Sequence, residues 1–361
     1  MATRGKSTDE KIKRVREGYE STLSWKLTRP LRSAGRTARR LRGRETAVPW
    51  ADAMIEEEIT DDWGSWLDTF FGRELEQIDR ACSEVPREEA WSLFSELDDD
   101  LWAVLLTRDY SLYPNIRAVL PGAPEPGLQW MWNGAVGLEL LGQSKNFYAR
   151  VRELNQRHGR TPLGAARILD FGCGWGRLTR FFARDAMPDR LFGCDPTPEI
   201  LEICAETGVP GDLRKTDFVP ESLPFTDLDL VFSFSVFTHI SEAAHRACLE
   251  AIHSALAPGG LAVITVRPAA YLDHDPLMQP ARAELSDEYP QRELKEPRYI
   301  FVPHPVEDGH PQYDEGEMTY GDTVISLPYI EENWGELFEI VETGLLTGDM
   351  YQVPVALKKR A

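Results

Sequence analysis

The sequence contains 361 residues, of which 42% are hydrophobic and 27% are charged, and this is the composition of a globular protein with a sizeable core. A chain of this length is expected to form more than one folding unit, because single domains usually contain about 100–200 residues. The formal net charge of −19 argues against generic nucleic-acid binding by the folded part, since an acidic surface repels the phosphate backbone.

The expected location is the cytoplasm. No apolar run approaches the ~20 residues that a bilayer-spanning helix needs, and the N-terminus lacks the apolar core of a secretory signal peptide. The cysteines show neither paired spacing nor histidine partners at metal-ligand spacing, which is typical of proteins in a reducing compartment, so we predict no metal site. The five cysteines are Cys82, Cys173, Cys194, Cys204 and Cys248.

Residues 1–45 form a basic arm that is predicted to be helical or disordered. The first 44 residues carry 14 Lys and Arg against four Asp and Glu, so the rest of the chain is strongly acidic. This charge suits docking on anionic lipid headgroups, which would make the protein membrane-peripheral, or on an acidic partner. A solvated tail is the alternative.

Residues 46–127 are predicted to be an acidic, Trp-rich helical region that ends in a linker. Apolar residues recur at steps of three and four between Ile55 and Phe71 and again between Trp91 and Leu105, as on one face of a helix. Proline and glycine then cluster between Leu120 and Gly127. The tryptophans of this region are predicted to lie in the core, although a sugar-stacking surface is the alternative.

From residue 128 to the end, short apolar segments alternate with amphipathic ones, which predicts an α/β sheet flanked by helices. Residues 268–325 are rich in Pro, His, Asp and Glu and are predicted to be an irregular insertion. The predicted strands are Arg167–Phe171, Arg190–Asp195, Leu213–Phe218, Leu228–Phe234, Gly260–Val266, Phe338–Glu342 and Met350–Leu357. The clearest predicted helices are Arg177–Arg184, Pro198–Thr207 and Glu242–Leu256.

A glycine-rich loop follows the first predicted strand. Asp170 and Phe171 end that strand, and Gly172, Gly174 and Gly176 occupy alternate positions after it. Glycines at such a turn let the backbone approach a ligand closely. The dinucleotide pattern would need its third glycine at Arg177, and the carboxylate of Asp170 suits an ammonium group better than a pyrophosphate.

Two further acids are predicted at strand ends. Asp195 stands 19 residues after Gly176, where a carboxylate can accept hydrogen bonds from both ribose hydroxyls. Asp217 and Phe218 follow the next strand and suit an adenine amino group and its ring face. Either acid alone could instead cap the following helix.

With these motifs in order, the chain resembles class I S-adenosylmethionine (SAM)-dependent methyltransferases. The segment from Ser233 to His239 and the later Ala257-Pro258-Gly259-Gly260 add to the likeness. The Trp132-Asn133-Gly134 and Tyr320–Thr323 segments resemble bacterial methyltransferases of polysaccharide and glycan assembly. The resemblance implies a seven-strand Rossmann-like sheet preceded by a helical N-terminal region. The cofactor residues it implies are Asp170, Phe171, Gly172, Gly174, Gly176, Asp195, Asp217, Phe218, Ser233, Phe234 and Trp132.

The predicted acceptor is a small molecule, most specifically a hydroxyl of a sugar or glycan intermediate, and methylating a hydroxyl calls for a general base. His239 stands just after the fourth strand, where it either takes the proton or only orders the loop. His304 and His310 lie in the insertion that would cover the acceptor and are the other candidates. The acidic residues between 314 and 317 suit Mg²⁺, but a solvated loop is the preferred interpretation.

Two other functions compete with this prediction. A non-catalytic SAM-binding scaffold in a glycan-assembly complex would use the same fold, with the arm and the helical region as its contacts. A nicotinamide-dependent oxidoreductase is disfavoured by Arg177 in place of the third glycine. Amino methylation of nucleic acids is disfavoured as well, because Ser233-Phe234-Ser235-Val236 replaces the Asn/Asp-Pro-Pro-aromatic turn of those enzymes. Protein methylation stays open, and the oligomeric state is not predicted.

Overall fold

The computed structural model describes residues 64–108, 110–285, 295–304, 313–314 and 317–360. The basic arm, the start of the helical region and His310 lie outside the described residues, as do the side chains of the acidic cluster at 314–317. The chain divides into two compact units, Met1–Gly142 with Glu202–Val209, and Gln143–Leu201 with Pro210–Ala361. The predicted domain boundaries remain a prediction.

The described residues of the first unit are helical, as the periodicity predicts. Asp98 begins one of these helices by accepting hydrogen bonds from the backbone N–H groups of Asp100 (2.8 Å) and Leu101 (3.4 Å), which would otherwise be unpaired. The helices of the described chain are α1 (Gly64–Glu84), α2 (Arg87–Ala90), α3 (Asp99–Thr107), α4 (Pro114–Val119), α5 (Pro126–Asn133), α6 (Gly137–His158), α7 (Pro198–Thr207), α8 (Glu242–Ala255), α9 (Tyr271–His274), α10 (Gln279–Ala283) and α11 (Leu327–Asn333).

The tryptophans of the first unit divide between core and surface. Trp91 and Trp102 are buried, and Trp102 packs against Phe94 with ring centroids 5.4 Å apart. Trp66 is 46% exposed on α1, close to the ring of Phe70. The helical spacing therefore places the two buried tryptophans correctly, whereas Trp66 is on the surface.

The second unit is built on a seven-stranded sheet. Its order is β10-β11-β5-β4-β1-β2-β3, and all neighbours are parallel except β11, which runs antiparallel to β5 and to β10. The strands of the described chain are β1 (Ile168–Phe171), β2 (Leu191–Asp195), β3 (Asp212–Lys215), β4 (Leu228–Ser233), β5 (Leu256–Val266), β6 (Tyr299–Pro303), β7 (Tyr313–Asp314), β8 (Glu317–Met318), β9 (Gly321–Ile325), β10 (Phe338–Thr343) and β11 (Val353–Lys359). The predicted seven-strand Rossmann-like α/β fold is confirmed.

The strand order fixes where a ligand can bind. Strands β1, β2 and β3 succeed one another in one direction, whereas β4 and β5 lie on the other side of β1. A crevice opens at such a reversal, outside the carboxyl ends of the two central strands. The central strands β1, β2 and β4 are mainly apolar and buried, as expected for a parallel sheet between helices, whereas the edge strands β3 and β10 are partly exposed.

The structure differs from several of the predicted elements. The predicted helix Arg177–Arg184 is a shorter 3₁₀ helix over Thr179–Arg184, with the N–H of Phe181 bonded to the carbonyl of Leu178 (2.9 Å). Pro258 and Gly259 lie within the start of β5 rather than after a helix, because α8 ends at Ala255. The insertion is more regular than predicted, since β6 and β9 pair as an antiparallel sheet. Among the helices of the described residues, none has the length and apolar character needed to cross a membrane.

Candidate active site

The glycine loop lies at the carboxyl end of β1, on the edge of the crevice. Gly172, Gly174 and Gly176 have φ values of 75°, 51° and 73°, a region that strongly favours glycine. A Cβ on Gly172 would lie only 2.3 Å from Cγ2 of Val236, so the loop passes close to the segment after β4. The N–H groups of Gly172 and Cys173 both donate to the carbonyl of Cys194 (2.8 and 3.0 Å), which fixes the loop against β2.

Asp170 is a buried acid beneath this loop. The residue is only 2% exposed, and its carboxylate accepts a hydrogen bond from Oγ1 of Thr179 at 2.7 Å. Burial raises the pKa of Asp170 to about 7, although the Thr179 bond and the charge of Arg177 oppose this rise. A cationic ligand would stabilise the ionised form, so the site is suited to an ammonium group.

Arg177 is a buried cation directly after the loop, and the sequence pattern marks it only as the position where the dinucleotide motif would have its third glycine. Its Nη1 donates to Oε1 of Gln143 (2.7 Å) and to Oγ of Ser144 (3.1 Å). Burial lowers its pKa to about 10, so the guanidinium stays charged at neutral pH. These two partners are neutral, and the opposite charges that act on the guanidinium are those of Asp170 and Asp349. We therefore count Arg177 among the candidate ligand-binding residues.

Asp195 ends β2 and supports the loop from the other side. One carboxylate oxygen accepts from the N–H of Gly174 (3.0 Å) and the other from the N–H of Thr197 (2.9 Å), just before α7. Burial raises its pKa to about 6, against the opposing effect of these bonds. Each oxygen has a further lone pair. The geometry is therefore compatible with both the predicted ribose contact and the capping alternative.

Asp217 and Phe218 lie beyond the end of β3, which is shorter than predicted and stops at Lys215. Asp217 is exposed and Phe218 is half-buried. The preceding N–H, that of Thr216, donates to the carbonyl of Asp195 at 3.2 Å, so the segment runs alongside the end of β2. Its predicted contact with adenine stays a prediction.

Buried residues form the floor of the crevice between β1 and β4. Oγ of Ser233 donates to the carbonyl of Phe171 at 3.0 Å and ties the two strand ends together. Phe234 packs edge-on against Phe147, with centroids 4.8 Å apart, and the guanidinium carbon of Arg177 lies 4.8 Å from its ring centroid. Ser233 therefore holds the ends of β1 and β4 together, and Phe171 contributes its backbone carbonyl to this bond. Trp132 belongs to α5 of the first unit, where it is half-buried.

His239 follows β4 as predicted, but both of its ring nitrogens are engaged. Nδ1 donates to the carbonyl of Gly321 (2.9 Å), and Nε2 accepts from Nη2 of Arg267 (2.9 Å). Burial and the charge of Arg267 lower its pKa to about 3, so the ring is neutral at neutral pH. Its lone pair is already used by Arg267, and the geometry favours the loop-ordering alternative.

His304 lies nearby with one nitrogen on a buried carboxylate. Its Nε2 is 2.9 Å from one oxygen of Asp322, whose other oxygen accepts from Nη1 of Arg267. Burial by itself would raise the pKa of Asp322, but the bond from His304 and the charge of Arg267 hold it well below its usual value. The ring of Tyr320 stacks on His239 and meets His304 edge-on, at 5.4 and 4.9 Å between centroids.

The structure thus brings two of the three predicted histidines together through residues that sequence analysis did not select as catalytic candidates. Arg267 directly follows β5, and Asp322 is in β9. The only sequence signal for Asp322 is its place in the Tyr320–Thr323 likeness, and none marks Arg267. His310 lies outside the described residues.

Residues 168–260 match the family model described as a methyltransferase domain. A ubiquinone biosynthesis O-methyltransferase of a Methylobacterium species is 32% identical over 118 residues, which are 29% of this chain and 45% of that protein. A trans-aconitate 2-methyltransferase of Mycobacterium tuberculosis is 31% identical over 140 residues, which are 38% of this chain and 48% of that protein. The matches therefore span just under half of each relative.

A solved structure of magnesium protoporphyrin IX methyltransferase from Synechocystis aligns with 63% of this chain and 90% of its own. Its TM-score is 0.41 and its sequence identity is 14%. At this distance the likeness adds nothing about the acceptor.

Proposed function

We propose that the second unit, which carries a class I methyltransferase domain with SAM as its methyl donor, transfers the methyl group to a hydroxyl oxygen of a sugar or glycan intermediate. The main support for a SAM-binding site here is the pair of buried, oppositely charged side chains at the glycine loop. Asp170 lies beneath the loop and Arg177 follows it, close enough for the charge of Arg177 to lower the pKa of Asp170. An amino-acid zwitterion has the complementary pair of groups.

When bound, SAM would supply a methyl group whose carbon the acceptor oxygen attacks in line, with S-adenosylhomocysteine as the leaving group. The chain's own part is to hold the reacting groups in line and in a polar setting. In this proposal Asp170 receives the ammonium, Arg177 receives the carboxylate, and Asp195 accepts from the ribose hydroxyls. Asp217 and Phe218 contact the adenine. The glycines without side chains make room for this close approach.

A hydroxyl acceptor must lose its proton, and we assign this step to His304. With Nε2–H donated to the ionised Asp322, the remaining ring nitrogen, Nδ1, is an acceptor. Asp322 fixes the tautomer and Arg267 holds Asp322 in place. His239 is then a positioning residue that links the segment after β4 to Arg267 and to β9. His310 stays a further candidate.

The sugar class rests on the likeness of the Trp132–Gly134 and Tyr320–Thr323 segments to glycan-assembly enzymes. The two relatives are named for other acceptors, a ubiquinone precursor and trans-aconitate. The acceptor oxygen is therefore the part of the proposal that experiment must decide.

The deciding experiment incubates the full chain with SAM labelled in the methyl group and four acceptor classes. These are nucleotide sugars, lipid-linked glycans, catechol-type phenols and tricarboxylic acids. The expected result is labelled product from a sugar class. Product from a phenol or a carboxylic acid alone would replace the sugar proposal. Tight SAM binding without turnover on any class would favour the scaffold alternative.

A further inference from the structure

Two buried polar atoms without a hydrogen-bond partner lie at the carboxyl edge of the sheet. They are Nε of Arg267 and Oε1 of Gln352. Such atoms are uncommon in folded proteins, because burial removes their water without replacing its hydrogen bond. The other unpaired buried side-chain atoms of the described residues belong to α6, α8, the first unit and the segment before β1. These two atoms are therefore set apart by their position.

The sheet register places the two residues opposite each other. Val266, the last residue of β5, pairs with Val353, the first residue of β11, in the antiparallel ladder. Arg267 and Gln352 are the next residues outward on each chain. Directly opposite residues of antiparallel strands have Cβ atoms about 4.5–5.5 Å apart, so the two side chains start as neighbours.

Both side chains are held by their other polar atoms. Arg267 uses Nη1 for the carbonyl of Thr238 (2.7 Å) and for Asp322, and its guanidinium carbon lies 4.0 Å from the ring centroid of Tyr271. Gln352 uses Nε2 to donate to Oγ of Ser235 at 2.9 Å. Neither side chain can turn its unpaired atom to another partner without breaking these bonds.

Gln352 connects this pair to the end of β4. Ser235 comes two residues after β4 and has a φ of 63°, which is unfavourable for a residue other than glycine. Its N–H donates to Oγ1 of Thr265 at 2.8 Å, and its hydroxyl is shared with Thr238 (3.1 Å). Ser235 is thus held by three hydrogen bonds, one of which fixes the amide of Gln352 next to the end of β4.

We propose that Nε of Arg267 and Oε1 of Gln352 bind one hydroxyl group of the acceptor, a hydroxyl other than the one that is methylated. One unpaired donor and one unpaired acceptor on opposite residues match a hydroxyl, which accepts and donates at once. A carboxylate is disfavoured there because it has no proton to donate to the carbonyl oxygen of Gln352. An ammonium is disfavoured because it would be repelled by the positive charge of Arg267. The group bound by this pair is therefore a neutral hydroxyl, and the acceptor has at least two hydroxyls.

This inference rests on the proposed sugar acceptor, and it names the residues that select for it. The hydroxyl that is methylated is a different one, and it gives its proton to His304. A hydroxyl whose proton is donated to Gln352 could not pass that proton to His304. Arg267 then has two roles, since it also positions Asp322 and His239.

The test uses Gln352→Met, which keeps the length of the side chain and removes its carbonyl. The probes are the methyl α-glycosides of glucose, galactose and mannose, with cyclohexanol as the single-hydroxyl control, and binding is followed by ligand-observed NMR in the presence of S-adenosylhomocysteine. The full chain is expected to bind at least one glycoside. Gln352→Met should weaken that glycoside about tenfold, as expected for one lost buried hydrogen bond, and leave cyclohexanol unchanged.

Gln352→Glu is the matched control, because its carboxylate retains the acceptor and the hydroxyl of Ser235 can turn to donate to it. This variant should bind the glycoside far better than Gln352→Met does. Calorimetry with S-adenosylhomocysteine shows that each variant is folded and tests the cofactor site separately. Equal glycoside affinity in Gln352→Met and the unmodified chain overturns the inference. So does the failure of every glycoside to bind while S-adenosylhomocysteine still binds.

Discussion

Arg267 donates a hydrogen bond to Nε2 of His239 at 2.9 Å, and this bond occupies the lone pair that a general base would use. The other nitrogen, Nδ1, is held by the carbonyl of Gly321. A histidine fixed in this way joins the segment after β4 to β9 and to the end of β5. Neither nitrogen is then available to take a proton from an acceptor hydroxyl.

His239→Asn should therefore change stability more than it changes chemistry. The amide can still donate to the carbonyl of Gly321, but it no longer accepts from Arg267 in the same geometry. Since burial keeps the pKa of His239 near 3, its ring does not titrate between pH 5 and 9. We expect a lower melting temperature and a pH profile of kcat with the same shape as that of the unmodified chain. Loss of a titration from that profile would make His239 the base after all.

His304→Ala should lower kcat by about 10²–10⁴ on a sugar hydroxyl, the usual contribution of a positioned base, and leave SAM affinity unchanged. Single-turnover rates with saturating SAM measure this. A catechol acceptor is the control, because its hydroxyl is more acidic and needs less help from a base. An equal loss on both acceptors would indicate a structural role for His304.

The sequence alone predicts that the glycine loop and Asp195 come together, because each stands at the end of a strand that is recognisable locally. Asp170, the three glycines and Asp195 each follow an apolar segment of β-strand length, so chain order alone brings them to one edge of a parallel sheet. The His239 network depends on contacts across 28 residues to Arg267 and 82 residues to Gly321. No short pattern predicts such distant partners, nor which tautomer a histidine adopts.

Tertiary contacts also explain why the α-helix predicted over Arg177–Arg184 is wrong. The apolar spacing predicts an α-helix, but Arg180 is buried and its guanidinium donates to the carbonyls of Gly176 (3.0 Å) and Trp175 (3.3 Å). These tertiary bonds hold the end of the glycine loop and accompany the tighter 3₁₀ geometry of Thr179–Arg184. The conformation of this segment therefore follows its tertiary hydrogen bonds and not its intrinsic helical propensity.

Arg177→Gln should weaken S-adenosylhomocysteine by about 10–100-fold, because a charge-assisted bond to its carboxylate is lost. Methylthioadenosine has the same adenosine and thioether but lacks the amino-acid carboxylate and ammonium. Its affinity should stay the same in the variant, as measured by calorimetry. A parallel loss for both ligands would mean that Arg177 supports the loop and does not bind the carboxylate.

Asp195→Ala should weaken S-adenosylhomocysteine by about 1–3 kcal/mol, since the ribose bonds are lost and the N–H of Gly174 is left without its partner. Thermal unfolding should also show lower stability. Asp217→Ala is the control at an exposed position and should cost less affinity. Unchanged affinity in a folded Asp195→Ala protein would remove Asp195 from the cofactor site.

His245 should lower the stability of the second unit in mild acid relative to a chain that has no titrating group at this position. This residue is buried on α8 against Phe237 and Trp334, with ring centroids 4.6 and 5.0 Å away, and burial lowers its pKa to about 3. The unfolded chain binds the proton near pH 6.5. The contribution of neutral His245 to the free energy of unfolding is therefore complete above pH 6.5. It is lost progressively as the pH falls towards 3, and about 2 kcal/mol is lost at pH 5.

His245→Phe removes this titration while it keeps a ring of similar shape in the cluster. Between pH 7.5 and pH 5, the change in unfolding free energy measured by urea unfolding should be about 2 kcal/mol more favourable in the variant than in the unmodified chain. Phe237→Leu is the matched control, because it disturbs the same cluster without a titrating group and should lower stability equally at both pH values. The raised pKa values of Asp170 and Asp195 act in the opposite direction, but they are common to all three proteins and cancel in the comparison. An equal loss in His245→Phe and in the unmodified chain would mean that His245 is already protonated in the folded protein.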